Sequence, residues 1–202
     1  MARFLGKLST DAHGVASDEL RVAYWDFGKP VAADADGIYA AAAAAVAAVE
    51  LGASDFVSTF TGALDVPRKI AVIASEGAAS IQDGDKVTIH GTNIEGAAIS
   101  EELTFAAKQS TASTTTQAFK TVTGATIGPS TVGVKFNVGW TDVLGLPFKL
   151  AATEKMALEY GAGVLQTTAG TFTVDAEVLG KNTYDPNTTL NASNTVQLIL
   201  FL

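Results

Sequence analysis

Few side chains in this 202-residue chain are of types that do chemistry, and their spacing limits what they can do. There are two histidines, His13 in a glycine-containing stretch near the N-terminus and His90 in an alternating apolar–polar run. A shared metal site would need those two contexts to converge, and the absence of cysteine excludes disulfides and thiolate ligation. Paired carboxylates occur at Asp83/Asp85 and at Glu101/Glu102. Consecutive side chains of a strand point to opposite faces, so Glu101 and Glu102 cannot form an acid–base pair directly. Asp83 and Asp85 flank Gly84 and read as a solvated turn. Asp34-Ala35-Asp36-Gly37 opens like a calcium loop but lacks the later ligand positions, so it reads as a plain turn. No nucleophile elbow, His-Glu-x-x-His or phosphate loop occurs, and Gly161-Ala162-Gly163 is too short for a dinucleotide fingerprint. The expectation is a protein that is not an enzyme, with no catalytic residue, metal or cofactor.

Binding chemistry is the remaining option. Trp25, Trp140 and ten phenylalanines are the large aromatic surface available. Trp140, beside Thr141-Asp142 at an expected strand end, is the best candidate for a sugar-stacking platform, and the Thr-rich stretch Ser110–Gln117 reads as a mobile connection or loop tip that could join it in binding. Packing in the core or against another subunit is the competing use of the same ring. Asn187-Thr188-Thr189 and Asn191-Ala192-Ser193 match glycosylation sequons, and without a signal sequence they read as polar loops.

The elements that must carry these residues are strands. The stretch Asp65–Phe105 alternates apolar and polar side chains, as in Val87-Thr88-Ile89-His90, between the turn sequences Ser75-Glu76-Gly77, Asp83-Gly84-Asp85 and Asn93-Ile94-Glu95-Gly96. Strands are expected at 56–62, 68–75, 86–93, 97–105, 118–127, 132–140, 163–166, 170–179 and 195–202, with Glu95-Gly96 a tight hairpin corner. Pro67, Pro129, Pro147 and Pro186 fall at strand starts or corners, where a missing N–H costs least. Two helical signals interrupt this pattern. One is the Ala-rich run after Asp36, capped by that residue and reaching Glu50 before Gly52, although β-context can override propensity and Val46-Ala47-Ala48-Val49 would also serve as a small-residue strand; the other is Thr153–Tyr160. The apolar end, Val196–Leu202, would aggregate as a free edge, so it must be a central strand or pair with another chain. The expected fold is mainly β: an antiparallel sandwich or open barrel-like domain, an extended N-terminal arm, and one or two short helices. Residues 1–37 form the arm and 38–202 the β-rich domain. Within the latter, 38–61 lead in, 62–150 form the core module and 151–202 the C-terminal strands.

Charge narrows the partners. The formal net charge is −8, which disfavours nucleic acid and anionic membrane surfaces. Charged residues make up only 17% of the chain against about 25% in a typical domain, leaving a weakly charged surface suited to subunit contacts. The N-terminal MARFLGKLST lacks the apolar stretch of a secretory signal, and the Ala-rich run is too short and too mildly hydrophobic to span a bilayer.

An ordered set of motifs carries a resemblance. Asp65-Val66-Pro67-Arg68 leads into a strand, followed by Lys86-Val87-Thr88-Ile89-His90-Gly91-Thr92-Asn93-Ile94-Glu95-Gly96 and Ile99-Ser100-Glu101-Glu102-Leu103. Gln117-Ala118-Phe119-Lys120-Thr121-Val122, Leu144-Gly145-Leu146-Pro147 and Asn182-Thr183-Tyr184-Asp185-Pro186 come next. Over residues 62–202 this order resembles head-associated structural proteins of tailed bacteriophages, the capsid decoration or cement proteins. The resemblance implies a non-enzymatic virion protein that binds and stabilises the outer surface of the major capsid shell. It also implies a homotrimer assembled in the host cytoplasm, with no catalytic residues. Chain-end residues expected to touch neighbouring subunits or the shell are Phe4, Leu5, Leu8, Tyr24, Trp25, Phe27, Leu200 and Phe201. The alternative is a head-fibre or tail-associated β-module that binds host glycans.

Overall fold

The computed structural model describes residues 3–8, 20–45, 47–75, 81–129, 132–150 and 156–201; for Arg3–Leu8, Leu20, Arg21, Ser75, Met156 and Phe201 it describes the backbone alone. Those residues form antiparallel strands with two single 3-10 turns, Ala53–Asp55 and Leu179–Lys181. The strands, in chain order, are β1 (Arg3–Leu8), β2 (Leu20–Gly28), β3 (Asp34–Ala43), β4 (Val49–Leu51) and β5 (Ala63–Ser75). Then come β6 (Lys86–Thr92), β7 (Ala98–Thr104), β8 (Ser113–Ile127), β9 (Lys135–Gly145) and β10 (Met156–Gly161). The last four are β11 (Val164–Leu165), β12 (Thr171–Thr173), β13 (Thr183–Asp185) and β14 (Val196–Phe201). A mainly β, antiparallel fold is what the alternation and turn chemistry predict.

The strands divide into two sheets. One has nine strands in the order β12-β13-β9-β5-β8-β6-β7, with β3 also paired to β9 and β4 to β8. Strand β6 shows how sequence writes this sheet: Val87, Ile89 and Gly91 are buried while Lys86, Thr88, His90 and Thr92 are half-buried on the other face. The corner after it is closed by Gly96 at φ +86° and by the Asn93 side chain, whose Oδ1 accepts the Glu95 and Ala97 N–H groups. Ile38, Ile70, Val72, Ile89, Phe119, Ile127, Phe136 and Val138 meet in one cluster, each at most 1% exposed. Strands of a single sheet supply most of that cluster, so the sheet must curve around it. Pro67 sits inside β5, where the register with β8 slips between Ala63 and Arg68; an irregular rung is where a strand tolerates proline.

The second sheet has five strands in the order β1-β2-β14-β10-β11. The apolar C-terminal β14 is its middle strand, paired to β2 along Val196–Phe201 and to β10 on its other side. This is the central placement its composition demands. A second core lies between the sheets: Phe27, Val196 and Leu198 of the small sheet pack with Leu144, Leu146, Leu150, Tyr184 and Leu190.

Several local expectations are corrected. The Ala-rich run is strand as far as Ala43: β3 pairs with β9, Tyr39 opposite Val138 and Ala42 opposite Phe136. Inter-strand hydrogen bonds and the burial of Ile38 and Tyr39 outweigh the helix propensity of alanine. In the second helical stretch, Met156–Tyr160 lies in β10, and 151–155 fall outside the described residues. Residues 56–62 form turns rather than a strand. The Thr-rich stretch is largely strand, since β8 starts at Ser113 and Thr115 is buried with its Oγ1 accepting the Ile70 N–H. Of the expected arm, Leu20–Gly28 packs on the chain's own domain, zipped along β14, and the expected boundary at residue 37 falls inside β3.

Candidate functional site

The residues first suspected of chemistry are held in structural roles. His90 Nε2 lies 2.8 Å from Thr126 Oγ1, which donates to Glu50 Oε2 at 2.7 Å, so the three side chains tie β6, β8 and β4 together. His13 lies outside the described residues. Glu101 reaches from β7 to accept the Thr116 and Gln117 N–H groups of β8, whereas Glu102 pairs with Lys86 at 2.9 Å. The two carboxylates thus separate as strand geometry requires. Asp83 is exposed, but Asp85 is only 5% exposed and accepts the Gln82 N–H; the solvated-turn expectation fails for Asp85 because it braces the turn from inside. Among the described residues no group of three or more His, Asp or Glu is placed to hold a metal ion.

Trp140 is not a free platform. Its Nε1 donates to Ala32 O at 2.9 Å, its ring packs on Phe60 at a centroid distance of 6.0 Å, and it borders the larger core. Such a ring is committed on its edge and on a face. Nearby Tyr39 is buried with its hydroxyl donating toward the Leu51 and Gly52 carbonyls. Burial, aided by the Asp55 charge, pushes this phenol up to about 12, which keeps it neutral.

The expected contact residues separate by strand parity. Residues opposite one another in antiparallel strands share a face, so the small sheet has two sets of rows. One set, Trp25–Leu198–Glu159 and Ala23–Leu200–Ala157, turns toward the core. Leu200 is 0% and Phe27 6% exposed, both used within the chain's own fold. Trp25 is half-buried and meets Phe27 edge-on at 6.1 Å. The other set, Tyr24–Ile199–Leu158 and Asp26–Gln197–Tyr160–Leu165, lies on the outer face. Tyr24, Leu158, Tyr160 and Ile199 are half-buried there and Leu165 is 47% exposed; Val164, 64% exposed at the sheet's edge, is opposite Gly161 and so has the other parity. The charge on this face is held within it: Asp26 accepts from the Gly28 N–H and from the Gln197 amide. What remains is an apolar, aromatic patch. Phe4, Leu5 and Leu8 fall on β1 and Phe201 on β14, where backbone alone is described.

A site that the sequence did not single out joins the two sheets. Glu159, fully buried on β10, accepts hydrogen bonds from the N–H groups of Gly170, Asn187 and Thr188 at 2.9, 3.0 and 2.7 Å and from the Tyr184 hydroxyl. Burial alone would raise this carboxyl, but hydrogen bonds from Thr188, Tyr184, Asn187 and Gly170 outweigh it and hold the group below the usual carboxylate range. The same contact, added to burial, raises Tyr184 well above an ordinary phenol. The available signal was parity: an acid at an inward position of a strand, where Ala157 and Gly161 are its neighbours on that face. No family model, curated protein or solved structure matches this chain.

Proposed function

We propose that this protein is a capsid decoration protein of a tailed bacteriophage, a non-enzymatic subunit that binds and stabilises the outer surface of the major capsid shell. The ordered motifs between residues 62 and 202 motivate this reading. Each falls on a corner, a bulge or a strand that sets the fold, as Pro67 does in β5 and Gly96 does after β6. The observation that carries it is the outer face of the small sheet, an apolar row that ends at exposed Leu165. Broad apolar contact without a pocket suits a protein that bridges subunits. That face, rather than Phe27 or Leu200, is the contact surface toward the shell or a neighbouring copy, and the assembly is a homotrimer.

Mass spectrometry and imaging of purified virions test the place of action; absence from intact heads ends the reading. The contact surface is tested with Ile199→Lys and Leu158→Lys, which should lose binding to undecorated heads while retaining the far-ultraviolet circular dichroism of the parent. Light scattering should give three times the 20.7 kDa chain mass.

A further inference from the structure

The junction between the two sheets is built around a buried carboxylate whose hydrogen-bond donors among the described residues are all neutral. Glu159 of β10 is fully buried, and among the described residues no lysine, arginine or histidine forms an ion pair with it. Its four donors come from across the junction: Tyr184 on β13 of the large sheet, Gly170 before β12, and Asn187 and Thr188 after β13. The Tyr184 oxygen also accepts the Gly170 N–H at 2.7 Å, closing the knot. Tyr184 of β13 faces it; Asp185, next along β13 and exposed, is coupled to it through charge, as Asp142 of β9 and Lys69 of β5 are to Asp185. From β14 it meets only Leu198 in its row.

An ionised carboxylate is acceptor-only, which matches four donors. Once protonated, one oxygen carries hydrogen and opposes the donors aimed at it, leaving buried N–H groups unpaired. The junction has little reserve to absorb that loss. The buried side-chain polar atoms without a partner, among the described residues, are Trp25 Nε1, Thr183 Oγ1 and Thr188 Oγ1. All three belong to strands or turns that meet at this junction, and none belongs to the core enclosed by the large sheet.

We propose that Glu159 is an acid-sensitive latch: its protonation undocks the five-stranded sheet while the nine-stranded sheet stays folded around its own core. Because the carboxyl is held low by its donors, the latch is closed at neutral pH and opens only in acid. Its contribution is complete above the unfolded value of about 4.3 and is lost as pH falls below that, through the lower folded value.

The chain has two tryptophans, Trp25 in β2 of the small sheet and Trp140 in β9 of the large one, so each sheet has its own reporter. Trp140→Phe leaves Trp25 fluorescence and Trp25→Phe leaves that of Trp140. On acid titration of the full chain, the Trp25 midpoint should lie at higher pH than the Trp140 midpoint. Tyr184→Phe removes one donor and raises the carboxyl's folded value. It should move the Trp25 midpoint up by roughly one pH unit and leave the Trp140 midpoint in place. Glu159→Gln should give the acid-state Trp25 emission already at pH 7, with Trp140 unchanged. Coincident midpoints, or a Tyr184→Phe shift that is absent or shared by both reporters, overturn the latch.

Discussion

Arg68 has no solvent exposure, and its guanidinium is held by the Asp65 carboxylate through Nε at 2.8 Å and Nη2 at 2.6 Å. The remaining Nη1 reaches the Thr141 carbonyl at 3.3 Å, and Asp65 also accepts the Val31 N–H. The pair therefore fastens the segment after β2 to the irregular start of β5. Removing only the acid leaves a buried cation without its counter-charge, which costs about 3–5 kcal/mol. Asp65→Ala should lower stability by that order in urea denaturation, and Asp65→Ala with Arg68→Met should recover most of it. A backbone contact makes an equally local demand. A Cβ on Gly139 would lie 1.8 Å from the Asp34 carbonyl, so β3 can cross β9 there only over glycine. Gly139→Ala should cost about 2 kcal/mol or more by forcing β3 away, measurable as a fall in urea midpoint without loss of strand signal.

At the level of elements, pairing partners decide what single-strand patterns leave open. The alternation of β6 and the continuous apolar run of β14 were legible because burial on one or both faces writes itself into the sequence. The Ala-rich β3 was not legible, since alanine fits either conformation and only its register on β9, with Tyr39 opposite Val138, selects strand. Likewise nothing local in Leu20–Gly28 names β14 as its partner, because that contact closes across most of the chain. This pairing sets the outcome of truncation. Deleting residues 1–30 removes β2, exposes one edge of β14 and uncovers Val196 and Leu198; the product should aggregate in size-exclusion chromatography. Deleting residues 1–19 spares the β2–β14 pair and should leave a dispersed, folded protein. Loss of 196–202 removes the middle strand of the small sheet and should also aggregate.

Across the whole molecule, carboxylates of opposite tendency set the response to pH. The parity of Glu159 was in the sequence, but its donors come from Gly170, Tyr184, Asn187 and Thr188, which only the meeting of two sheets brings together. Asp175 is also held low, by the N–H groups of Val178 and Glu177 that it accepts, with Lys181 adding opposite charge. Asp185 runs the other way: burial of its carboxyl, then the charges of Asp142 and Glu159, raise it, with Lys69 in opposition. A raised acid favours the fold when protonated, so its contribution is present below the unfolded value of about 3.9 and is lost as pH rises through the folded value. Ionised Asp185 therefore works against the fold at neutral pH, whereas ionised Glu159 works for it. Replacing Asp185 with asparagine keeps the size and removes the charge. Asp185→Asn should raise the melting temperature at pH 7 and lose that advantage at pH 3, where the parent carboxyl is protonated as well. Thermal melts of parent and variant at the two pH values check this, and an equal gain at both would show that repulsion from Asp142 and Glu159 is not its cause.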